Sequence, residues 1–305
     1  MSDLVINIDR LSRKFKRTQA LDQVSLTVQR GRVFGLVGEN GAGKTTLIQH
    51  VLGRLKPQSG TVSVFGLDPV HQPENVLAQI GYMSEDRDLP DWMTIDQLIA
   101  FLRPFYTGWD DGLVHELVQT FDLDRKARIN TLSRGQKARA GLLVALAHRP
   151  DLLVLDEPSS GLDVIVRKEI LAAVIRTVVN EGRTVLFSSH LLDEVERVAD
   201  DVAMLDRGQL VLDGSLSELA SSHHRLTFLL ETETDRPPGI DGVMHWSGSG
   251  REWVGICNGT LERVRAEAQK HGVQLADQAN ASLDEIFVAY NKSRRGDGLP
   301  TGAES

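Results

Sequence analysis

The sequence has a single cysteine, Cys257, which excludes an internal disulfide and any CxxC metal site. Positive charge is in deficit: 34 Lys and Arg stand against 42 Asp and Glu, a formal net charge of −8. A nucleic-acid binder would present a basic excess on one face, so this balance argues against one. No run approaches the ~18 apolar residues needed to cross a bilayer. Met1-Ser2-Asp3-Leu4 lacks the basic stretch and apolar core of a secretory leader. Repeats with a period of ~20–50 residues are missing, as are long heptad segments, which excludes a solenoid or a coiled-coil rod. These absences point to a reducing cytoplasm, with any membrane role supplied through a partner.

What remains is an ordinary globular composition, 41% hydrophobic and 25% charged over 305 residues, long enough for about two domains. Residues 24–28 alternate as a strand and are the first clear one; 33–37 form a short apolar strand. A glycine-rich turn then leads into a helix from Lys44, and residues 61–65 are expected to rejoin the early strands as an antiparallel flank. Residues 80–83 read as a strand. Helical periodicity fills about 94–148, with Ile95, Leu98, Ile99 and Leu102 on one face and Pro104 ending or kinking that helix. Strands at 152–155 and 184–187 enclose a helix over 164–179, the alternation of a covered parallel sheet. A helix at 191–199, a strand at 201–205 and a hairpin into 209–212 follow.

Composition changes near Ser221-Ser222-His223-His224, where the two histidines read as linker rather than metal site. Strand-like stretches at 226–230 and 252–256, and helices at 261–270 and 283–290, predict a small α+β appendage over 221–291. Residues 292–305 hold almost nothing apolar and are expected to be a disordered tail.

Gly38-Glu39-Asn40-Gly41-Ala42-Gly43-Lys44-Thr45 matches GxxxxGK[ST] between a strand and a helix. The glycines let consecutive amides curl around an anion, and the helix start adds unsatisfied N–H groups and the positive end of its dipole. Lys44 is assigned to the β- and γ-phosphates, Thr45 to a magnesium ion, and Thr46 continues the cradle. The 152–155 strand ends in Asp156-Glu157, placing Asp156 to hold magnesium and Glu157 to polarise a water for in-line attack. His190 follows the next strand in Phe187-Ser188-Ser189-His190, at the edge where open α/β sheets take ligands.

With these motifs together, the chain resembles the ATP-binding subunit of an ABC transporter, most closely the ABC-2-type exporters. Leu132-Ser133-Arg134-Gly135-Gln136 resembles the signature LSGGQ, with arginine at its third position. Leu152 to Glu157 resembles the Walker B strand, Ser159-Ser160-Gly161-Leu162-Asp163 the D-loop, His190 the switch histidine, and Phe15 the aromatic that stacks on adenine. The resemblance implies a P-loop NTPase core with an antiparallel β flank and a helical subdomain, spanning 1–220. It implies ATP and Mg²⁺ as cofactors, and a head-to-tail dimer with itself or a paralogue. Each nucleotide would lie between one subunit's phosphate loop and the other's Ser133, Gly135 and Gln136.

Glu85, in Gly81-Tyr82-Met83-Ser84-Glu85-Asp86, stands where such families usually have glutamine, a replacement common in drug- and antibiotic-export subunits. It is assigned to the metal site and to coupling. In the family, a separate membrane permease docks beside the helical region; Leu89, Trp92 and Met93 are candidates for that contact. The implied location is the cytoplasmic face of the membrane, with the transported substrate chosen by the permease. The alternative function is a soluble ABC-type ATPase with a regulatory, nucleic-acid or ribosomal role.

Overall fold

A computed structural model describes residues 3–259 and 261–295, which divide into two compact units, Met1–Asp213 and Gly214–Ser305. The first begins with β1 (Leu4–Phe15), β2 (Thr18–Gln29), β3 (Val33–Val37), α1 (Lys44–Val51) and β4 (Ser59–Val64). Then come α2 (Pro73–Leu77), β5 (Ile80–Met83), α3 (Ile95–Leu102), α4 (Asp111–Thr120) and α5 (Arg134–Leu146). The series closes with β6 (Leu152–Leu155), α6 (Val164–Glu181), β7 (Thr184–Ser189), α7 (Leu192–Val198), β8 (Asp201–Asp206) and β9 (Gln209–Ser215). Two sheets result: an antiparallel flank in the order β2-β1-β4, and a six-stranded sheet in the order β5-β6-β7-β3-β8-β9. β5, β6, β7, β3 and β8 run parallel. This is the P-loop NTPase architecture with an antiparallel flank and helical subdomain.

The parallel strands are continuous apolar runs because both faces are covered. Every residue of β6 is fully buried, each contributing about 1.5–3 kcal/mol through removal from water. Every residue of β7 is buried as well. In the helical region, Thr94 and Gln97 form a reciprocal capping box that starts α3, and Asp110 caps α4 through the Leu113 amide.

The long strand β1 escapes a reading by alternation. Its pairing with β2 shifts register after Leu4, Ile8 and Leu11, and Arg10 adopts φ +45. Val5 and Ile6 are consecutive and both buried, so a period of two is lost at these irregularities. Phe15, upstream of the strand first legible in the sequence, is the last residue of this central strand, and it pairs with Thr18 across the hairpin.

The second unit contains α8 (Leu216–Ser222), β10 (His223–Thr234), β11 (Val243–Asn258), α9 (Leu261–Lys270), β12 (Gln274–Asn280) and α10 (Leu283–Arg295). Its antiparallel sheet runs β11-β10-β12. Leu226 and Phe228 are fully buried against Val264 and Ala268 of α9, with the Trp246 ring 5.1 Å from that of Phe228. His223, expected in a linker, instead starts β10 and is buried. β12 is strongly polar and was not foreseen as a strand; backbone pairing with β10 holds it. α10 carries helix through Arg295, so residues 292–295 are not tail; residues 296–305 lie outside the described residues.

Candidate functional site

The phosphate loop follows β3, where Gly43 sits at φ +112 immediately before α1. A Cβ there would stand 2.5 Å from the Ala20 carbonyl, so only glycine permits both this turn and the close approach of β2. The loop and the start of α1 line a cavity of about 360 Å³ with Thr18, Ala20, Glu85 and Glu157. Asn40, Gly41, Ala42, Gly43, Lys44, Thr45 and Thr46 all contribute to its wall. The amides of the first turn of α1 lack helical acceptors and give the cavity its positive polarity.

Lys44 is buried, and its ammonium donates to the carbonyls of Gly38 at 2.7 Å and Glu39 at 3.3 Å. Its Nζ also stands 2.9 Å from Glu157 Oε1, an ion pair that lacks hydrogen-bond angles. Glu157 turns sharply out of β6 at φ +47, a conformation rare for a long side chain. Its amide donates to the Ser188 hydroxyl at 2.9 Å, which fixes the turn. Glu157 Oε2 lies 2.7 Å from His190 Nδ1. A carboxylate only accepts, so Nδ1 of His190 is the donor in this contact.

Asp156 is buried beside this turn and accepts from the Ser188 hydroxyl at 2.6 Å and from the Thr45 hydroxyl. Burial holds its carboxyl above the usual aspartate range, against the opposing effect of these two hydrogen bonds. Thr45 and Asp156 therefore meet, with Glu85 on the cavity wall. Among the described residues no cluster of three His, Cys, Asp or Glu side chains is gathered as a metal site.

Gly38, Glu39, Asp156 and His190 do not line the cavity but bond to Lys44, Thr45 or Glu157, which do, whereas three other parts of the predicted site stand apart from it. Phe15 is not among its lining residues; its ring lies under the Arg13 guanidinium at 4.7 Å. Ser133, Gly135 and Gln136 open α5, where the Ser133 hydroxyl accepts from the Gln136 amide and the Gln136 side chain accepts from the Ser133 amide. Asp163 caps α6 through the amides of Ile165 and Val166. Arg134 takes a course within its own chain: its guanidinium fills the space that a Cβ on Gly161 would need.

Sequence reasoning gave no role to Ser188, Glu194 or Arg87. Ser188 ties Asp156 to Glu157, and its position at the end of β7, in the same motif as His190, was the available signal. Glu194 is buried and accepts from the Ser159 hydroxyl at 2.5 Å while pairing with Arg167 at 3.0 Å. Burial raises its carboxyl, a cost that the hydroxyl and guanidinium only partly offset. No sequence pattern pairs a residue of α7 with the D-loop.

The ABC transporter family profile matches residues 21–160. NatA, an ABC transporter ATP-binding protein of Bacillus subtilis, is 34% identical over 72% of this chain and 92% of its own length. The daunorubicin/doxorubicin resistance ATP-binding protein DrrA of Streptomyces peucetius is 33% identical over 93% of this chain and 91% of its own. Among solved structures, an ATP binding subunit of an ABC transporter superposes with a TM-score of 0.65 at 26% identity, covering 71% of this chain and 92% of that one. A phosphate loop facing a buried Asp-Glu strand end and a histidine, on this fold and with these relatives, makes the chain a member of the ABC transporter ATP-binding family and an ATPase.

Proposed function

We propose that this chain is the ATP-hydrolysing subunit of an ABC-2-type exporter, acting as a dimer beneath a separate membrane permease. The observation that carries the reading is Glu157, held between Lys44 and His190 at the wall of the phosphate cavity. An entering γ-phosphate competes with Glu157 for the Lys44 ammonium. Once Lys44 turns to phosphate, Glu157 keeps His190 and is free to accept a proton from the attacking water. The loop amides and Lys44 stabilise the charge that spreads over the transferred phosphoryl group. His190, oriented by Glu157, holds water and γ-phosphate in line.

The donors beside the loop are all oxygen, from Thr45, Asp156 and Glu85, which suits magnesium. The burial that raises the Asp156 carboxyl is relieved by a neighbouring cation, so the pair fits a divalent ion. Thr45 and Asp156 would hold it, with Glu85 alongside; bound with nucleotide, magnesium neutralises charge on the phosphate oxygens.

Ser133, Gly135 and Gln136 complete the cage from the opposite subunit, because their helix start is not part of this chain's own cavity. Phe15 stacks on adenine beside Thr18. For the permease, Trp92 is 69% exposed and Leu89 lines a groove beside the helical region, whereas Met93 is buried core. Among the described residues no helix is long and apolar enough to cross a membrane; the pore is assigned to a separate permease. The export direction is supported by DrrA, whose name joins ATP binding to drug resistance and whose alignment runs through the second unit.

Glu157→Gln tests the reading. It is expected to bind ATP, to lose at least about tenfold in turnover, and to accumulate as a dimer with Mg·ATP in light scattering. Turnover equal to the unmodified protein, or a monomer at high concentration, overturns it. Purification from membranes without any integral membrane partner overturns the export assignment and leaves a soluble ATPase.

A further inference from the structure

The D-loop turn, residues 158–161, carries the chain from Glu157 to the start of α6. Inside the turn the Ser160 amide donates to the Glu157 carbonyl at 3.1 Å and the Leu162 amide to the Ser159 carbonyl at 3.1 Å. These two bonds alone would leave the turn, and the carboxylate at its head, free to rock. One external hold on its backbone carbonyls comes from Arg87.

Arg87 lies two residues beyond Glu85, in a left-handed conformation at φ +52 stabilised by its own amide donating to the Ser84 carbonyl. That backbone turn sends the side chain inward, where it is 5% exposed. Its Nη2 donates to the Pro158 carbonyl at 3.2 Å and to the Ser160 carbonyl at 2.9 Å. A guanidinium is rarely buried with its hydrogen bonds going to backbone carbonyls, and here the nearby Glu85 and Asp86 carboxylates only partly offset its desolvation. Burial, together with the neighbouring Arg134, lowers its proton affinity. Such an arrangement is a poor choice for stability and a good one for geometry, since one planar group spans two carbonyls of the turn. The turn is held elsewhere by side chains: the Ser159 hydroxyl donates to Glu194 at 2.5 Å, the Ser160 hydroxyl to Glu85 Oε1 at 3.2 Å, the Glu157 amide to Ser188, and Arg134 covers Gly161.

We infer that Arg87 is a positioning residue for ATP hydrolysis: its guanidinium pins the carbonyls of Pro158 and Ser160 and thereby fixes the turn that aims Glu157. The inference rests on the reading in which Glu157 takes the water's proton. The same side chain lines the groove of about 280 Å³ formed with Tyr82, Asp88 and Leu89. What fills that groove therefore touches the residue that holds the catalytic turn.

The test compares Arg87→Met and Arg87→Lys in the full-length protein. Arg87→Met is expected to lower kcat at least about tenfold while KM for ATP stays within about threefold, the split for a group acting on the reacting geometry and not on binding. Hydrogen exchange, read on peptides covering 159–162, is expected to quicken about tenfold without nucleotide, with protection elsewhere unchanged. Arg87→Lys retains the charge and one donor and is expected to recover part of both losses. A kcat within about twofold of the unmodified protein overturns the inference, as does a kcat loss with unaltered exchange at 159–162. If Arg87→Met does not fold, Arg87→Lys decides: at least about a threefold fall in kcat with faster exchange at the turn is expected, and the absence of either change overturns the inference. Glu157→Gln assayed in parallel separates the failures. Full turnover there removes the role of Glu157, whereas lost turnover there with normal Arg87→Met removes only the positioning.

Discussion

The two units both pack helices on a sheet, yet only the first brings reactive groups to one place. In its parallel sheet, β3, β6 and β7 lie close together and run the same way, so their carboxyl ends share one edge. The phosphate loop, Asp156-Glu157 and His190 are the residues that follow those three ends. In the second unit, β11, β10 and β12 alternate in direction, so successive strand ends fall at opposite edges. Its titratable groups are correspondingly quiet: burial lowers His223 and pushes the Cys257 thiol up to about 12, leaving it protonated and unreactive at neutral pH. Parallel strands collect chemistry; antiparallel ones here build a shelf.

The largest expected effect tests whether the shelf is dispensable for the chemistry. Phe228→Ala removes a fully buried ring and should cost the second unit about 3–5 kcal/mol, read as an early unfolding transition in calorimetry. Basal ATP turnover should stay within about twofold while nucleotide protects the first unit. Turnover that falls with the second unit breaks the comparison. His190→Ala should reduce kcat about 10²-fold with little change in KM, measured by phosphate release. An unchanged kcat would show that the β7 edge is not part of the reaction.

Phe15→Ala should weaken ATP binding by roughly 1–3 kcal/mol if the ring stacks on adenine, measured by calorimetric titration. Equal affinities would assign Phe15 to its contact with Arg13 alone. The smallest effect concerns Asp156, whose folded pKa burial raises above the ordinary aspartate value of 3.8. The folded, nucleotide-free chain therefore binds this proton more tightly than the unfolded chain. Stability from this group is fully present below that value and is lost as pH rises through the folded pKa. Asp156→Asn should accordingly raise the Tm at neutral pH without nucleotide, and the gap should close on acidification. A gap independent of pH would remove burial of charge as its cause.

Legibility followed the range of the interactions. β6 and the helix from Lys44 could be read because burial on both faces makes an apolar run, and because the loop motif needs glycine at set positions. β1 could not, since its bulges break the alternation that identifies a strand. β12 was missed because its side chains are polar and its hydrogen bonds belong to β10. Met93, offered as a surface contact, is buried beside α3, whereas its neighbour Trp92 is exposed. Adjacent residues on opposite sides of one turn differ in a way that composition cannot express.

The order of motifs along the chain determined the phosphate loop, the acidic strand end and the family, because backbone curvature and strand burial restrict which residues can stand there. The tertiary structure alone decided the company these residues keep. Ser188 reaches back to Asp156 and Glu157, Glu194 takes the Ser159 hydroxyl, and Arg87 grips the carbonyls of the D-loop, 71 and 73 residues away in the chain. Contacts of that span depend on how sheet and loops are stacked in space, and a carbonyl acceptor carries no side-chain signature for a sequence to display.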